Sequence, residues 1–213
     1  GSYNLIMGTC AGYCFQTGQN NTLIGSKAGC RLTGYCNVGL GTNALRADAS
    51  SNGSSNVGVG ISALQCITNG ANGNTSVGSL SGLNISSGAC NVFVGFCSGN
   101  ATTGVDGNVF AGAFSGVANT TGLCNTAVGF CALYSNTTGV QNTSIGSSAL
   151  YSNTTGNYNV AVGTDALCST TTGHRNTAVG TSALTCNTIG IYNTAVGLSA
   201  LRSNTTGEHN TSI

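Results

Sequence analysis

From Asn125 the chain reads Asn-Thr-Ala-Val-Gly-Phe-Cys-Ala-Leu-Tyr-Ser-Asn-Thr-Thr-Gly-Val-Gln, and the pattern begins again at Asn142, Asn159, Asn176, Asn193 and Asn210. The spacing between starts is 17. This constant period constrains the fold more than any other feature, because a fixed short repeat means that one structural unit is stacked on its own copies. Looser copies begin at Asn4, Asn21, Asn37, Asn56, Asn74, Asn91 and Asn108, with spacings of 16, 18 and 19 only among the first four. Twelve units and the start of a thirteenth fill residues 1–213 as a single repetitive segment.

Within a unit the fourth residue is aliphatic in eleven of twelve cases, as in Val128, Ile145 and Val162, and its successor is always Gly. The eighth is Ala or Ser, and the ninth is Leu (Leu45, Leu133, Leu150) or Gly (Gly12, Gly82, Gly116), a choice that implies a narrow interior. Stretches such as Asn136-Thr137-Thr138-Gly139 read as turns, at which Asn and Gly tolerate positive φ. A unit this short, with β-branched residues between glycine breaks and no helical stripe, predicts one coil of a parallel β-solenoid. Equivalent residues then stack at about 4.8 Å, and the recurrent first Asn becomes an inner ladder of hydrogen-bonded amides.

The expected strand carries Thr or Val second, an aliphatic residue fourth, and mostly Ala, Ser, Gly, Phe or Ile third, with no charge on either face. Side chains alternate across a strand, so two uncharged faces imply burial on both. One face is expected to pack inside the coil, each unit burying its aliphatic fourth residue, and the other against neighbouring chains, most simply three around an axis. The Asn-Thr-Ala-Val-Gly-x-x-Ala-Leu-x-Ser-Asn-Thr-Thr-Gly units resemble repeats of phage and bacterial tail-fibre-like proteins and, more distantly, the head repeats of trimeric autotransporter adhesins. That resemblance covers the whole chain. It implies an extracellular trimeric β-roll on a virion or cell surface, spacing a tip that binds a receptor or glycan. The chain shows no polar end caps, so the segment is expected to belong to a longer fibre or filament.

Composition narrows the function. Only 4% of residues are charged and the formal net charge is +1, which argues against nucleic-acid binding through a basic patch. Apolar runs are far shorter than the twenty or so residues of a spanning helix, so membrane insertion is not expected. The few carboxylates, Asp48, Asp106, Asp165 and Glu208, are too scattered for acid-base catalysis, and no enzyme, cofactor or metal is expected. A second reading is an ice-binding solenoid that presents Thr-rich faces to water.

Eleven cysteines lie outside the short strands. Cys90 with Cys97, and Cys124 with Cys131, repeat one separation at one phase, and Cys14 with Cys30 join neighbouring units; these six are candidate staples between coils or chains, and the alternative is small free thiols. Asn-x-Ser/Thr triplets at Asn20, Asn52, Asn74, Asn84, Asn100, Asn119, Asn136, Asn142, Asn153, Asn204 and Asn210 offer glycosylation sites, but they also follow from the repeat itself. Variation concentrates on the two residues closing each unit. Tyr158, His174, Arg175, Tyr192, Glu208 and His209 therefore form a candidate contact edge. Tyr134 and Tyr151, at one phase of consecutive units, are expected to stack.

Overall fold

A computed structural model describes every residue except 15, 16, 48 and 50. The described chain is a parallel β-solenoid of twelve windings, in two compact units, Gly1–Asn108 and Val109–Ile213. The first unit contains β1 (Leu5–Met7), β2 (Thr22–Ile24), β3 (Val38–Leu40), β4 (Val57–Val59), β5 (Thr75–Val77) and β6 (Val92–Val94). The second contains β7 (Val109–Ala111), β8 (Thr126–Val128), β9 (Thr143–Ile145), β10 (Val160–Val162), β11 (Thr177–Val179), β12 (Thr194–Val196) and β13 (Thr211–Ser212). Within each unit every strand pairs in parallel with the next, second residue on second and third on third. The register follows the repeat even where the windings differ in length.

The first Asn of each winding lies inside and holds the stack together. Asn142 donates through Nδ2 to Asn125 Oδ1 at 3.1 Å and to the Gly156 carbonyl at 2.9 Å, and its backbone N–H donates to the same Oδ1 at 2.9 Å. The same links run from Asn37 to Asn21, from Asn56 to Asn37 and from Asn193 to Asn176. Nδ2 also reaches the carbonyl three residues before the next Asn, from Asn37 to Gly53, from Asn56 to Ala71, from Asn74 to Gly88 and from Asn176 to Gly190. Extra residues are therefore taken up earlier in the winding, and the closing segment returns to register.

An inward first residue fixes the parity of the strand, since residues two apart share a face. The third residue is accordingly the buried one: Leu23, Phe93, Phe110, Ala127, Ala161 and Ala178 are fully inaccessible. The expected burial of the fourth residue inside the coil is overturned, because Ile24, Val77, Val94, Val128, Ile145, Val179 and Val196 point outward and are 36–41% exposed. Inward serines are satisfied locally, as when Ser144 Oγ donates to the Ala149 carbonyl at 2.7 Å.

Interior volume is balanced between the third and ninth residues. Where the ninth is Leu, as at Leu45, Leu64, Leu133 and Leu150, the third is Gly39, Gly58, Ala127 or Ser144. Where the ninth is Gly, a large third residue of the same or the next winding fills the space: a Cβ on Gly99 would stand 2.4 Å from the Phe93 ring and one on Gly116 2.5 Å from Phe110, while Gly82, whose own winding has Ser76 third, would place a Cβ 2.7 Å from Phe93 of the next winding. The ninth backbone is left-handed (Leu133 φ 54°, Leu150 φ 50°), and none of the positive-φ non-glycine residues is β-branched. Leu fills this place instead of Val or Ile because a β-branched side chain is disfavoured at φ > 0.

The two glycine landmarks serve different ends. The fifth residue adopts φ near +130°, and at Gly146 (φ +133°) a Cβ would lie 2.5 Å from the Gly163 carbonyl oxygen. The glycine of Asn136-Thr137-Thr138-Gly139, expected to supply positive φ, does not adopt it; it is required because a Cβ there would meet Asn136 Oδ1 at 2.4 Å and Gly156 O at 2.5 Å. Close approach of successive windings, not turn conformation, demands it.

Candidate functional site

Among the described residues the structure encloses no pocket and gathers no group of three or more His, Cys, Asp or Glu side chains. Among the described residues no helix is long and apolar enough to cross a membrane. The candidate surfaces are therefore the columns that repetition writes on the outside of the coil.

The contact edge becomes a ladder. Tyr158, Arg175, Tyr192 and His209 close four successive windings, all exposed and all on left-handed backbone (φ 56–59°). The Arg175 guanidinium lies 5.4 Å from the ring centroids of both Tyr158 and Tyr192 and donates to the Tyr192 hydroxyl at 2.9 Å. His209 stacks on Tyr192 at 4.9 Å with the planes 5° apart, and His174 meets the Tyr192 ring edge-on at 6.3 Å. Glu208 is exposed one residue before His209. Arg175 and His209 together occupy the two faces of Tyr192, so this ring offers a ligand only its edge. Tyr134 and Tyr151 stack as expected, at 4.9 Å and 7°.

The strand face is a second surface. Its two outward columns are the second residues (Thr126, Thr143, Val160, Thr177, Thr194) and the fourth residues (Val128, Ile145, Val162, Val179, Val196), with no charged side chain in either. The columns of the first unit run Thr22, Val38, Val57, Thr75, Val92 and Ile24, Leu40, Val59, Val77, Val94. All these side chains are half-buried or just exposed, at a place where single chains usually carry charge.

The Thr-Thr columns divide their work. Thr137, Thr154, Thr171 and Thr188 donate Oγ1 to the carbonyl of the corresponding Thr one winding on, at 3.1–3.3 Å. Only the following residue of each pair (Thr138, Thr155, Thr172) stands exposed.

A second amide ladder was not expected from the sequence. Asn136 Nδ2 donates to Asn119 Oδ1 at 2.7 Å, Asn153 to Asn136 at 2.8 Å and Asn204 to Asn187 at 2.9 Å, all on twelfth residues. Its signal is the repeated Ser-Asn-Thr-Thr-Gly, whose composition is that of a turn. Thr170 interrupts the ladder and donates instead to the Asn187 carbonyl, and the buried Asn153 Oδ1 is left without a partner.

All eleven cysteines are free thiols, including the six candidate staples. Cys90 and Cys124 are exposed, Cys14 is exposed, Cys30 and Cys97 are half-buried and Cys131 is buried. Burial pushes the Cys97 and Cys131 thiols above the usual thiol range; Cys168 is raised by burial and by the neighbouring Asp165 carboxylate. Asp106 has a structural partner, its Oδ1 accepting from Ala89 N–H at 2.7 Å, and Asp48 lies outside the described residues. Of the glycosylation triplets, Asn74, Asn119, Asn136, Asn142 and Asn153 have their amides inside the coil, whereas Asn20 and Asn52 are exposed.

The chain matches no family model, no curated protein and no solved structure.

Proposed function

We propose that this chain is a structural shaft segment of a surface-displayed extracellular fibre or filament, built from copies of itself packed through the strand face. Three copies around an axis running from winding to winding suit the fold, and such a shaft spaces a receptor- or glycan-binding tip from its anchor. The observation that carries this reading is the strand face: two uncharged columns of Thr, Val, Ile and Leu, half-buried in a single chain. Covering it removes apolar area from water at about 25 cal/mol per Å². The ladders of buried amides and the stacked outer side chains suit a mechanical element in which each winding holds the next.

Mass in solution by light scattering, with and without reductant, tests the assignment. A trimer that persists in reductant is expected, and a monomer overturns it. Val179→Lys, on the outward strand column, is expected to shift the mass to monomer while the β circular dichroism is retained.

One observation favours a second reading. Thr126, Thr143, Thr177 and Thr194 stand in one outward column beside Val128, Ile145, Val179 and Val196, a regular uncharged array of the kind that an ice-binding solenoid presents. Thermal hysteresis from a monomeric species would select that reading over the shaft.

A further inference from the structure

Strand β6 is bracketed by thiols. Cys90 lies two residues before Val92 and Cys97 three residues after Val94, each on left-handed backbone (φ 58° and 55°). The same pair, Cys124 and Cys131, brackets β8, and no other winding carries a thiol at both phases. Seven of the eleven cysteines occupy left-handed backbone. That conformation disfavours any non-glycine residue by about 1–2 kcal/mol, so backbone preference does not account for cysteine at these places.

The two thiols of one winding are badly placed to meet each other. The extended stretch from Asn91 to Gly95 alone spans about 13 Å at about 3.3 Å per residue, whereas a disulfide needs Cα atoms within about 7 Å. Cys90 and Cys97 therefore stand on opposite rims of the strand face. Of the bridges between coils or between chains that the pairing suggests, this leaves the one between chains.

Opposite rims at one level are what a neighbouring copy brings together. When copies are related by rotation about an axis running from winding to winding, equivalent windings stay level, and the leading rim of one strand face meets the trailing rim of the next. We propose, resting on the strand-face packing above, that Cys90 of one copy and Cys97 of the adjacent copy form an interchain disulfide that locks the shaft. The oxidant is a low-molecular-weight disulfide. The exposed Cys90 thiolate attacks it and releases one small thiol, leaving a mixed disulfide on Cys90. The adjacent copy's Cys97, as thiolate, then attacks the Cys90 sulfur and releases the second small thiol. One S–S bond is broken and one is formed, two protein thiols are oxidised, and their two protons leave with the released thiols.

The other thiols supply internal controls. Cys131 is only 8% exposed, which holds it back from a neighbour's Cys124, and Cys36 is level with Asn43 instead of a thiol. Neither Cys124 nor Cys36 is expected to be bridged.

The test uses the full chain, incubated with glutathione disulfide as a mixture of ordinary and nitrogen-15-labelled copies. Non-reducing electrophoresis and peptide mass spectrometry then read the bridges. Expected are covalent oligomers whose Cys90–Cys97 peptide joins labelled to unlabelled chains. Cys90→Ser and Cys97→Ser should each abolish the covalent oligomer alone, and a mixture of the two variants should restore it through the one remaining bridge. Both variants are expected to fold, because Ser55 and Ser62 occupy the same two phases at φ 58° and 56°. Bridges of Cys90 to Cys90, or a Cys90–Cys97 peptide only within single chains, would overturn the proposal. So would a trimer, stable in reductant, that yields no bridge on oxidation, with the shaft assignment left standing. A monomer under both conditions sinks the two together.

Discussion

The two units solve the same packing problem with different side chains. In Gly1–Asn108 the spacing of successive first Asn residues runs from 16 to 19, and among the described residues the twelfth-residue place is filled by Leu32, Ile67, Ile85 and Thr102. In Val109–Ile213 that spacing is 17 throughout, and the twelfth-residue place holds Asn119, Asn136, Asn153, Thr170, Asn187 and Asn204. Apolar side chains accept windings of unequal length because their contacts are not directional. An amide ladder asks each donor to find an acceptor in the next winding, which fits a strict period. What both units share is the first-Asn ladder and the fifth glycine, so these define the coil and the twelfth residue is a matter of local solution.

The largest effect expected from that comparison is at the fifth glycine. Gly60→Ala in the first unit and Gly146→Ala in the second each place a Cβ 2.5 Å from the next winding's carbonyl at φ +133°. Each should cost about 3 kcal/mol or more, read from the urea midpoint. If one unit tolerates the change, the two do not share a coil geometry.

Next in size is the exchange of volume between the third and ninth residues. Ala161→Phe should lose about 1–3 kcal/mol by overpacking against Leu167. Adding Leu167→Gly should recover most of that loss, recreating the Phe93 and Gly99 arrangement of the first unit. An additive double mutant, measured by thermal unfolding, would show that the pairing is incidental.

A smaller, favourable change is expected where the second ladder breaks. Thr170→Asn gives Asn153 Oδ1 a donor and continues the amides to Asn187, for a gain of about 1 kcal/mol. An unchanged or lower midpoint would mean that the ladder does not continue through this winding.

The smallest effect concerns thiol reactivity under reducing conditions. Burial raises the thiol pKa of Cys97 and Cys131 and limits reagent access, so both should alkylate slowly near neutrality, and the exposure of Cys90 and Cys124 makes them the accessible comparison. Their rates should still be rising at pH values above the usual thiol range, as followed by iodoacetamide labelling and peptide mass spectrometry.

Much of this was legible in the residues. The spacing of the Asn positions yields the winding number, the strand positions and the register, including the irregular windings, because a parallel stack can only align equivalent residues. The buried first Asn also contains the parity of the strand, and placing Val128 inside neglects that a first and a fourth residue lie on opposite faces. The second ladder is hidden because Ser-Asn-Thr-Thr-Gly has the composition of a turn, and composition does not say which way Asn136 points.

The sequence alone determined that the chain is a stack of windings, which residues stand above which, and that few charged groups are present. Only the tertiary structure decided which members of each column face inward and that Arg175 fills the gap between two tyrosines. Periodicity is a one-dimensional property and passes directly into a one-dimensional stack. The direction of a side chain depends on how the backbone bends within each winding, and that bend is set by left-handed residues and close glycine contacts between neighbouring windings.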